Sequence, residues 1–231
     1  MKTYAFVFAR GGSKGILRKN LLEINGISLV EHSIKSALQV KSIEKVFVST
    51  DDSEIASLSI KSGAEIINRP THLAKDNSPE WLSWQHAVKY VLDNHGEFQR
   101  FISLPPTSPL RALNDIEKCL NNLSSENDIV ISITPSKRNP FFNIVNMDQN
   151  NIVELVHQGE KKICRRQDCP ETFDITTVAY VTRPEFILKS NQIWDGVVSG
   201  VQIPYERSID IDEQIDFEIA TFLATKNTSS L

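Results

Sequence analysis

The sequence predicts one α/β domain whose central sheet is mainly parallel. Short apolar runs typical of buried strands alternate with stretches of helical periodicity, at the spacing of β-α-β units. Right-handed crossovers between such strands bring their carboxyl ends to one edge of the sheet, where ligands bind in open α/β folds. The 231 residues suffice for one such domain with a substantial core and a small insertion.

Composition narrows the possible partners. The 25 Lys and Arg residues are outnumbered by 29 Asp and Glu residues, so charge gives no support for a nucleic-acid or anionic-membrane partner. No apolar run approaches the roughly 18 residues of a membrane-spanning helix, and the apolar run before Arg10 is too short for a secretory signal. The odd number of cysteines favours a reducing compartment, the cytoplasm. The CxxxxC spacing of Cys164 and Cys169 favours ordinary thiols over a metal site.

The first predicted strand, Tyr4–Ala9, leads into a glycine-rich basic loop. Gly11 and Gly12 have no Cβ, so the backbone there can turn tightly and approach a ligand. Ser13 adds a hydroxyl, and the loop carries the cations Arg10, Lys14, Arg18 and Lys19. Backbone N–H groups and convergent cations suit a polyphosphate, although the GxGxxG and GxxxxGK[ST] motifs are both absent. A basic surface loop is the alternative interpretation.

The remaining elements follow from the same patterns. Ser28 and Glu31 predict a capping box at the start of the first helix. The run from Thr50 to Ser53 is expected to cap the second helix, with a cap role for Asp51, and Gly63 is expected to end it. Further strands are predicted over residues 45–49, 64–68, 100–104, 129–134, 176–182 and 200–204, and further helices over about residues 80–94, 114–123 and 212–225.

Two of these helices have apolar faces. In the helix predicted over about residues 80–94, aromatic residues and valines at heptad-like spacing favour a place in the core over stacking on a ligand. They are Trp81, Trp84, Val88 and Val91. In the last helix the residues expected to face inward are Ile215, Ile219, Phe222 and Leu223.

The alternation breaks down from Pro135 to about Thr172. Two weakly alternating apolar pieces, residues 141–145 and 152–156, predict a hairpin there. An irregular segment of this length inside a compact domain usually has a partner or a function. We therefore divide the chain into a core, residues 1–134 and 173–231, and an insertion, residues 135–172.

Two other segments carry candidate chemistry. The prolines of the run from Pro105 to Pro109 exclude a helix and an inner strand, which predicts a rigid loop at the carboxyl end of a strand. Asp210 and Asp212 lie two apart on an extended segment, so their carboxylates point to the same side and suit Mg²⁺ bound to phosphates. The alternative makes Asp212 a helix N-cap and Asp210 a solvated charge.

Five stretches together resemble the N-acylneuraminate cytidylyltransferase family, the CMP-nonulosonate synthetases. They read A-R-G-G-S-K-G-x-x-x-K-N from Ala9, V-S-T-D from Val48, R-P-x-x-L-A-x-D from Arg69, P-T-S-P-L-R from Pro106 and S-I-D-I-D from Ser208. The resemblance covers residues 6–216, and it depends on the order and spacing of the motifs rather than on any single one.

This resemblance implies a Rossmann-like nucleotidyltransferase fold, with the insertion as a dimerisation element. It implies that CTP and a nonulosonic acid give CMP-sugar and pyrophosphate, with Mg²⁺ as cofactor. The implied nucleotide-binding residues are Ala9, Arg10, Gly11, Gly12, Ser13, Lys14, Lys19, Asn20 and Arg69. The implied metal ligands are Asp210 and Asp212, and the implied catalytic residues are Arg10, Lys14, Lys19 and Asp212. The candidate sugar-binding residues are Pro105, Thr107, Arg111, Arg166, Asp174 and Thr176. The protein should be a homodimer in which Arg166 reaches the neighbouring active site.

The chain departs from the family pattern on the sugar side. Family members often have Gln where Pro105 stands, and Arg and Asn where Asp174 and Thr176 stand. Pro105 offers no side-chain amide and Asp174 adds negative charge, so we predict that N-acetylneuraminate is a poor acceptor. A nonulosonate of the legionaminic or pseudaminic kind should be preferred, unless Asp174 points into solvent. Other sugar or polyol-phosphate nucleotidyltransferases, and a catalytically silent sugar-nucleotide-binding subunit, are the alternative functions.

Overall fold

The structure is a computed structural model that describes residues 1–13, 15–157 and 165–228. Its strands are β1 (Thr3–Phe8), β2 (Glu23–Ile24), β3 (Ile27–Ser28), β4 (Ile43–Thr50), β5 (Glu65–Asn68), β6 (Arg100–Ser103), β7 (Ile129–Pro135), β8 (Val145–Met147), β9 (Val153–Leu155), β10 (Phe173–Thr182) and β11 (Val198–Gln202). Its α-helices are α1 (Leu29–Gln39), α2 (Ser53–Lys61), α3 (Glu80–His95), α4 (Leu113–Asn122), α5 (Pro184–Lys189) and α6 (Gln214–Thr228).

The central sheet has seven strands in the order β11-β7-β10-β6-β1-β4-β5. Every neighbouring pair is parallel except the two that β10 makes with β6 and β7. The prediction of a mainly parallel α/β sheet is therefore confirmed. Because the parallel strands end at one edge, the loops that follow β1, β5 and β6 lie together there.

Helices cover both faces of this sheet, and β1 shows why. Its alternate residues point to opposite faces. Ala5 and Val7 pack in one apolar cluster with residues of α1, α2 and α4. Tyr4 and Phe6 pack in a second cluster, which contains the buried Trp81 and Trp84 of α3. The predicted core role of those tryptophans is confirmed.

The two helix caps turned out differently. Ser28 and Glu31 form the predicted capping box, with the Glu31 N–H 3.3 Å from Ser28 Oγ and the Ser28 N–H 3.1 Å from Glu31 Oε2. The cap of α2 is Asp52, which accepts the N–H groups of Glu54 and Ile55 at 2.9 and 3.0 Å. The predicted capping run, residues 50–53, is therefore confirmed, but the cap role of Asp51 was wrong, because its carboxylate accepts the Gly11 N–H instead.

A wide bulge interrupts β10. Thr176 pairs with Ser132 of β7, and Tyr180 pairs with the adjacent residue Ile131, so three residues of β10 have no opposite number on β7. The Ser132 hydroxyl accepts the Ala179 N–H at 3.1 Å and lies 3.0 Å from the Thr176 carbonyl oxygen. One side chain thus satisfies backbone groups that the ladder leaves unpaired.

The inward face of α6 differs from the prediction. Ile215, Ile219 and Phe222 are exposed, whereas Ala220 and Ala224 are buried in a third apolar cluster beside β2, with Phe217 and Leu223 packed against it. The expectation for Ile215, Ile219 and Phe222 was wrong, because apolar residues lie on two sides of this helix and its periodicity fits either side.

The insertion contains the predicted hairpin in a shorter form. β8 and β9 pair antiparallel, with Val145 opposite Leu155 and Met147 opposite Val153. The first strand begins at Val145, so most of the apolar piece at 141–145 precedes it. All six hairpin residues are exposed, so the insertion presents apolar side chains to its surroundings.

Two further expectations bear on the class of protein. Within the described ranges, no helix combines the length and apolar character that crossing a membrane requires. Cys119 and Cys169 are free thiols, while Cys164 lies outside the described residues.

Candidate active site

A cavity of about 590 Å³ opens at the carboxyl edge of the sheet. It is bounded by the basic loop after β1, the loop after β5, the start of α3, the proline loop after β6, the bulge of β10 and the segment before α6. The predicted site residues that line it are Arg10, Ser13, Lys19, Asn20, Arg69, Pro105, Thr107, Asp210 and Asp212. Sequence motifs from both halves of the chain therefore meet in one place.

The cations of the basic loop face carboxylates across the cavity. Arg10 forms an ion pair with Asp76, its Nη1 lying 2.8 Å from Asp76 Oδ1. The Lys19 ammonium donates to Asp212 Oδ1 at 2.9 Å and to the Ile211 carbonyl oxygen at 2.6 Å. Lys14, the third predicted phosphate-binding cation, lies outside the described residues.

Gly11 and Gly15 are required by space and not by a left-handed backbone. The Gly11 N–H donates to Asp51 Oδ1 at 3.0 Å, and a Cβ on Gly11 would lie 2.7 Å from Asp52 Oδ2. A Cβ on Gly15 would lie 2.1 Å from the carbonyl oxygen of Asp212. The backbone of the loop therefore packs directly against the segment that carries Asp210 and Asp212, the aspartate segment.

Asp210 and Asp212 both line the cavity but differ in their surroundings. Asp210 is half-buried, and its Oδ1 is a buried atom with no hydrogen-bond partner among the described residues. Burial raises the pKa of the Asp210 carboxyl and the nearby Asp212 charge adds to this, while the Thr107 and Thr177 hydroxyls and Lys19 oppose it. Asp212 is largely exposed to the cavity and carries the bond to Lys19.

The alternative role of Asp212 as a helix cap is not what the structure shows. α6 begins at Gln214, and the N–H groups of Asp212 and Glu213 donate to Asp216 Oδ2 at 3.0 and 2.8 Å. Asp216 therefore satisfies the start of the helix. The Asp212 carboxylate does not cap the helix, and Asp212 lines the cavity.

The two aspartates fit a magnesium site that phosphates complete. Carboxylate oxygens are ligands that Mg²⁺ prefers, and Asp210 Oδ1 is an acceptor with no donor among the described residues. In the described ranges, no three His, Cys, Asp or Glu residues cluster closely enough to hold a metal ion by themselves. Mg²⁺ commonly takes only one or two carboxylates and completes its coordination with phosphate oxygens and water.

Arg69 and Asn20 stabilise the walls of the cavity. Arg69 is buried, with its Nε 3.1 Å from Ser49 Oγ, its Nη2 2.8 Å from the Ser49 carbonyl oxygen and its guanidinium over the Phe8 ring. Burial lowers its pKa to about 10, so it keeps its charge at neutral pH. The Asn20 amide donates to the Arg10 carbonyl oxygen at 3.0 Å, which ties the two ends of the basic loop together.

Glu80 and Tyr180 also line the cavity, although no motif singled them out. Trp84 Nε1 donates to Glu80 Oε1 at 3.1 Å. The Glu80 side chain is exposed to the cavity. Protein atoms surround its carboxyl on the other sides, and the resulting desolvation raises the pKa of this carboxyl. The sequence signal was a lone carboxylate at the start of an aromatic helix, which also fits an ordinary first-turn acid.

The predicted sugar-binding residues fall into two groups. Pro105 and Thr107 line the cavity. Thr176 is buried and donates from its hydroxyl to Ser132 Oγ at 2.8 Å, while its neighbour Thr177 lines the cavity. Adjacent strand residues point to opposite faces, and the bulge decides which of the two threonines faces inward.

Arg111 is buried beneath the proline loop rather than in the cavity wall. It donates to Ser33 Oγ at 2.7 Å and to the carbonyl oxygens of Pro105 and Thr177. Burial lowers its pKa to about 9. These contacts fix the loop that carries Pro105 and Thr107.

Asp174 and Arg166 lie at the base of the insertion. Asp174 is exposed and accepts the Ser136 hydroxyl at 2.6 Å, and Arg166 Nη2 lies 3.3 Å from the Ser136 carbonyl oxygen. Neither residue lines the cavity of the described chain, so their contacts with a sugar stay predictions. Ala9, Gly11 and Gly12 lie in or next to the loop but not in the cavity wall, so their contacts with a nucleotide stay predictions.

Comparison with known proteins identifies the family and the fold. The sequence model of a family described as cytidylyltransferase matches residues 4–221. A CMP-N,N'-diacetyllegionaminic acid synthase of Campylobacter jejuni is 32% identical, covering 96% of this chain and 95% of its own length. A post-translational flagellin modification protein B of Campylobacter coli is 30% identical, covering 94% of this chain and 92% of its own length.

A solved structure shows the same fold. CMP:2-keto-3-deoxy-manno-octonic acid synthetase complexed with CTP has a TM-score of 0.73, covering 98% of this chain and 100% of that one at 16% identity. At this identity the likeness concerns the fold alone, and it confirms the predicted Rossmann-like nucleotidyltransferase fold. The family match and the two relatives go further. The chain belongs to the cytidylyltransferase family that includes the CMP-nonulosonate synthetases, and it is a nucleotidyltransferase, as its five motifs predicted.

Proposed function

We propose that this enzyme transfers the CMP group of CTP to a nonulosonic acid. The hydroxyl oxygen on the anomeric carbon of the acid bonds to the α-phosphorus of CTP. The bond from that phosphorus to the bridging oxygen breaks, and pyrophosphate leaves with the electron pair. Such a transfer needs positioning and charge neutralisation from the protein rather than a covalent intermediate.

The observation that carries this proposal is the meeting of the basic loop with the aspartate segment. Lys19 and Asp212 are 193 residues apart in the chain, yet their side chains bond at 2.9 Å. The Gly15 backbone lies against the Asp212 carbonyl group. A triphosphate bound to the loop would therefore lie next to two carboxylates, which is the arrangement that phosphoryl transfer requires.

Each polar group then has a role. Arg10 and Lys19, with Lys14, bind the triphosphate and stabilise the charge on the leaving pyrophosphate. Asp210 and Asp212 hold Mg²⁺, which when bound adds positive charge beside the phosphates and lowers the pKa of the attacking hydroxyl. An Asp212 carboxylate oxygen accepts the proton that this hydroxyl loses. Arg69 and Asn20 position the nucleotide side of the cavity.

The acceptor is a nonulosonate, and we propose one of the legionaminic or pseudaminic kind. The legionaminic acid synthase of Campylobacter jejuni matches this chain over nearly the full length of both. In the cavity wall, Pro105 provides no side-chain donor for a sugar carboxylate and Thr177 provides a hydroxyl. A CMP-sugar is an activated glycosyl donor, so the product would serve cell-surface polysaccharide synthesis, and we propose the cytoplasm as the location.

The decisive experiment measures pyrophosphate release when CTP and Mg²⁺ are mixed with a panel of sugar acids. The panel contains N-acetylneuraminate, legionaminate and pseudaminate derivatives and a 3-deoxy octonate. We expect the highest kcat/KM with a legionaminate or pseudaminate and a low value with N-acetylneuraminate. Release with none of them, or efficient release with a polyol phosphate instead, would contradict the proposal.

We also propose that the enzyme is a homodimer. The insertion exposes a patch of apolar side chains that no described part of the chain covers, and such patches usually mark interfaces. The exposed members are Phe142, Ile144, Val145, Met147, Ile152, Val153, Leu155 and Val156. Arg166 lies at the base of the same insertion, so packing of one insertion on a second subunit would bring Arg166 toward the neighbouring cavity.

A further inference from the structure

Glu80 is the one acidic residue of the cavity wall that α3 supplies, and the proposed chemistry does not use it. The other acids of the wall come from the loop after β5 and from the segment before α6. The hydrogen bond of Glu80 within the described structure, from Trp84 Nε1, goes to Oε1. Oε2 is therefore available to a donor inside the cavity.

The charges around Glu80 limit what that donor can be. The Trp84 N–H and the Arg69 charge favour the ionised form of Glu80, against the desolvation that raises its pKa, and in that form the carboxylate would repel a phosphate or a sugar carboxylate. The partner must be a neutral N–H or O–H group. CTP offers two such sets on its nucleoside, the ribose hydroxyls and the exocyclic amine of cytosine. Carboxylates bind both kinds of group in proteins.

Neighbouring residues place Glu80 on the nucleoside side of the cavity. The positive charge of Arg69 acts on the Glu80 carboxylate, and Arg69 lies over the Phe8 ring. The Trp84 ring that binds Glu80 is stacked 6.2 Å from the same phenyl ring. These groups belong to β1, α3 and the segment after β5, the half of the sheet that holds the basic loop.

The second charge that reaches Glu80 is that of Asp210. Asp210 belongs to the pair that faces the phosphates in the proposed function, on which this inference depends. The ribose is the part of CTP joined directly to the α-phosphate, so a carboxylate of the cavity wall that interacts electrostatically with both Asp210 and Arg69 fits the position of the ribose. We propose that Glu80 accepts a hydrogen bond from a ribose hydroxyl of CTP and thereby determines nucleotide affinity and preference for ribonucleotides.

The test measures the Kd of nucleotides by calorimetry with Mg²⁺ present and no sugar acid. Glu80→Gln keeps the size of the side chain and an oxygen acceptor for Trp84, but it removes the charge. A hydrogen bond to a charged group is typically worth a factor of about ten or more in binding. We therefore expect Glu80→Gln to raise the Kd for CTP about tenfold or more. Asp93→Asn, an exposed change of the same kind on α3, should leave it unchanged.

Nucleotide analogues then identify the partner. We expect the Glu80→Gln effect to shrink or vanish with 2′-deoxy-CTP or 3′-deoxy-CTP, because one of them lacks the bonded hydroxyl, and to persist with UTP. An unchanged Kd for CTP in Glu80→Gln would overturn the inference. So would an effect that survives with both deoxynucleotides, or one that vanishes only with UTP, since the latter would place cytosine at Glu80.

The same measurements separate this inference from the proposed function. A parent enzyme that binds no CTP contradicts the proposed function itself, whereas a parent that binds CTP and a variant that binds it equally well contradict the role of Glu80 alone. A merely structural role, in which Glu80 only orients Trp84, would lower the melting temperature and disturb tryptophan fluorescence. It would not create a difference between CTP and its deoxy analogues.

Discussion

Lys19 lies where the basic loop and the aspartate segment meet, and it is only slightly exposed. Its neighbour Arg18 has a different environment, pairing with Asp52 and Glu54 away from the cavity. The two adjacent cations therefore allow a direct comparison of a cavity charge with a surface charge. Adjacent sequence positions alone would not have separated them.

We predict that Lys19→Ala reduces kcat/KM for CTP by about 10- to 100-fold or more. A charge-assisted bond to a phosphate contributes roughly 1.5–3 kcal/mol net, and more where water is excluded. Arg18→Ala should keep near-parental activity, because exposed ion pairs contribute about 0–1 kcal/mol to stability. Steady-state kinetics of both variants check this, and equal losses in the two would show that Lys19 has no special role.

Asp210 gives a second prediction at this scale, in which activity and stability change in opposite directions. Its raised pKa means that ionisation costs folding free energy. This carboxyl contributes most stability below its ordinary pKa, and the contribution is lost as pH rises through the raised value. Without Mg²⁺ at pH 7, Asp210→Asn should therefore be more stable than the parent and melt at a higher temperature.

The same variant should lose most of its turnover and its response to Mg²⁺, since an amide is a weaker metal ligand than a carboxylate. Melting curves at pH 7 and near pH 3, together with a magnesium titration of activity, measure both effects. The stability gain should be smaller near pH 3, where Asp210 is protonated in the folded and the unfolded protein. A variant that is less stable than the parent at pH 7 would show that burial of the Asp210 carboxylate does not destabilise the fold.

At the scale of elements, the basic loop and the segment before α6 are held together by close backbone contact. We predict that Gly15→Ala lowers activity strongly, because its Cβ would lie 2.1 Å from the Asp212 carbonyl oxygen and the two segments would have to separate. Gly12→Ala should cost less, since a Cβ there meets no atom of the described residues within 4 Å. Parallel kinetics of the two alanine variants test this, and a larger loss at Gly12 would contradict it.

Sequence patterns predicted the elements better than their detailed faces. The glycine, proline and aspartate motifs identified Arg10, Lys19, Pro105 and Asp210 because each follows a strand whose carboxyl end is fixed by the parallel sheet. Thr176 was chosen where Thr177 lines the cavity, since a bulge shifts the alternation of a strand without any local sequence signal.

The misassigned side of α6 has a related cause. Its apolar residues form two stripes, and only packing decides which one is buried. Glu80 was missed because its surroundings come from β1, β10 and the loop after β5, which no local pattern brings together. Contacts between residues that are far apart in the sequence cannot be predicted from local patterns.

At the scale of the whole molecule, the hairpin of β8 and β9 exposes apolar side chains that no described part of the chain covers. We predict that Val153→Glu weakens association and shifts the protein from dimer to monomer in light scattering at micromolar concentration. Val153 is 54% exposed and lies opposite Met147 in the hairpin, so a charge there would be desolvated in an apolar interface. Leu38→Glu, which alters an apolar residue on α1 that is 50% exposed, is the matched control.

Complementation tests whether the active site is shared. We expect Lys19→Ala and Arg166→Ala to be impaired when each is assayed alone, and mixtures of the two variants to regain part of the parental activity. One cavity of the mixed dimer would then have both an intact loop and an intact Arg166 from its partner. A parent enzyme that is monomeric, or mixed dimers that stay inactive, would contradict a shared site.

The bulge of β10 has a consequence for how this cavity could diverge between relatives. Residues 177–179 have no opposite number on β7, while the strand on either side keeps its ladder. Loss or gain of one residue within that stretch would shift the alternation of the strand by one position. Side chains that face the cavity would then face the core, and those that face the core would face the cavity. The acceptor wall could therefore be altered through chain length alone, with the strand pairing and the nucleotide half left as they are.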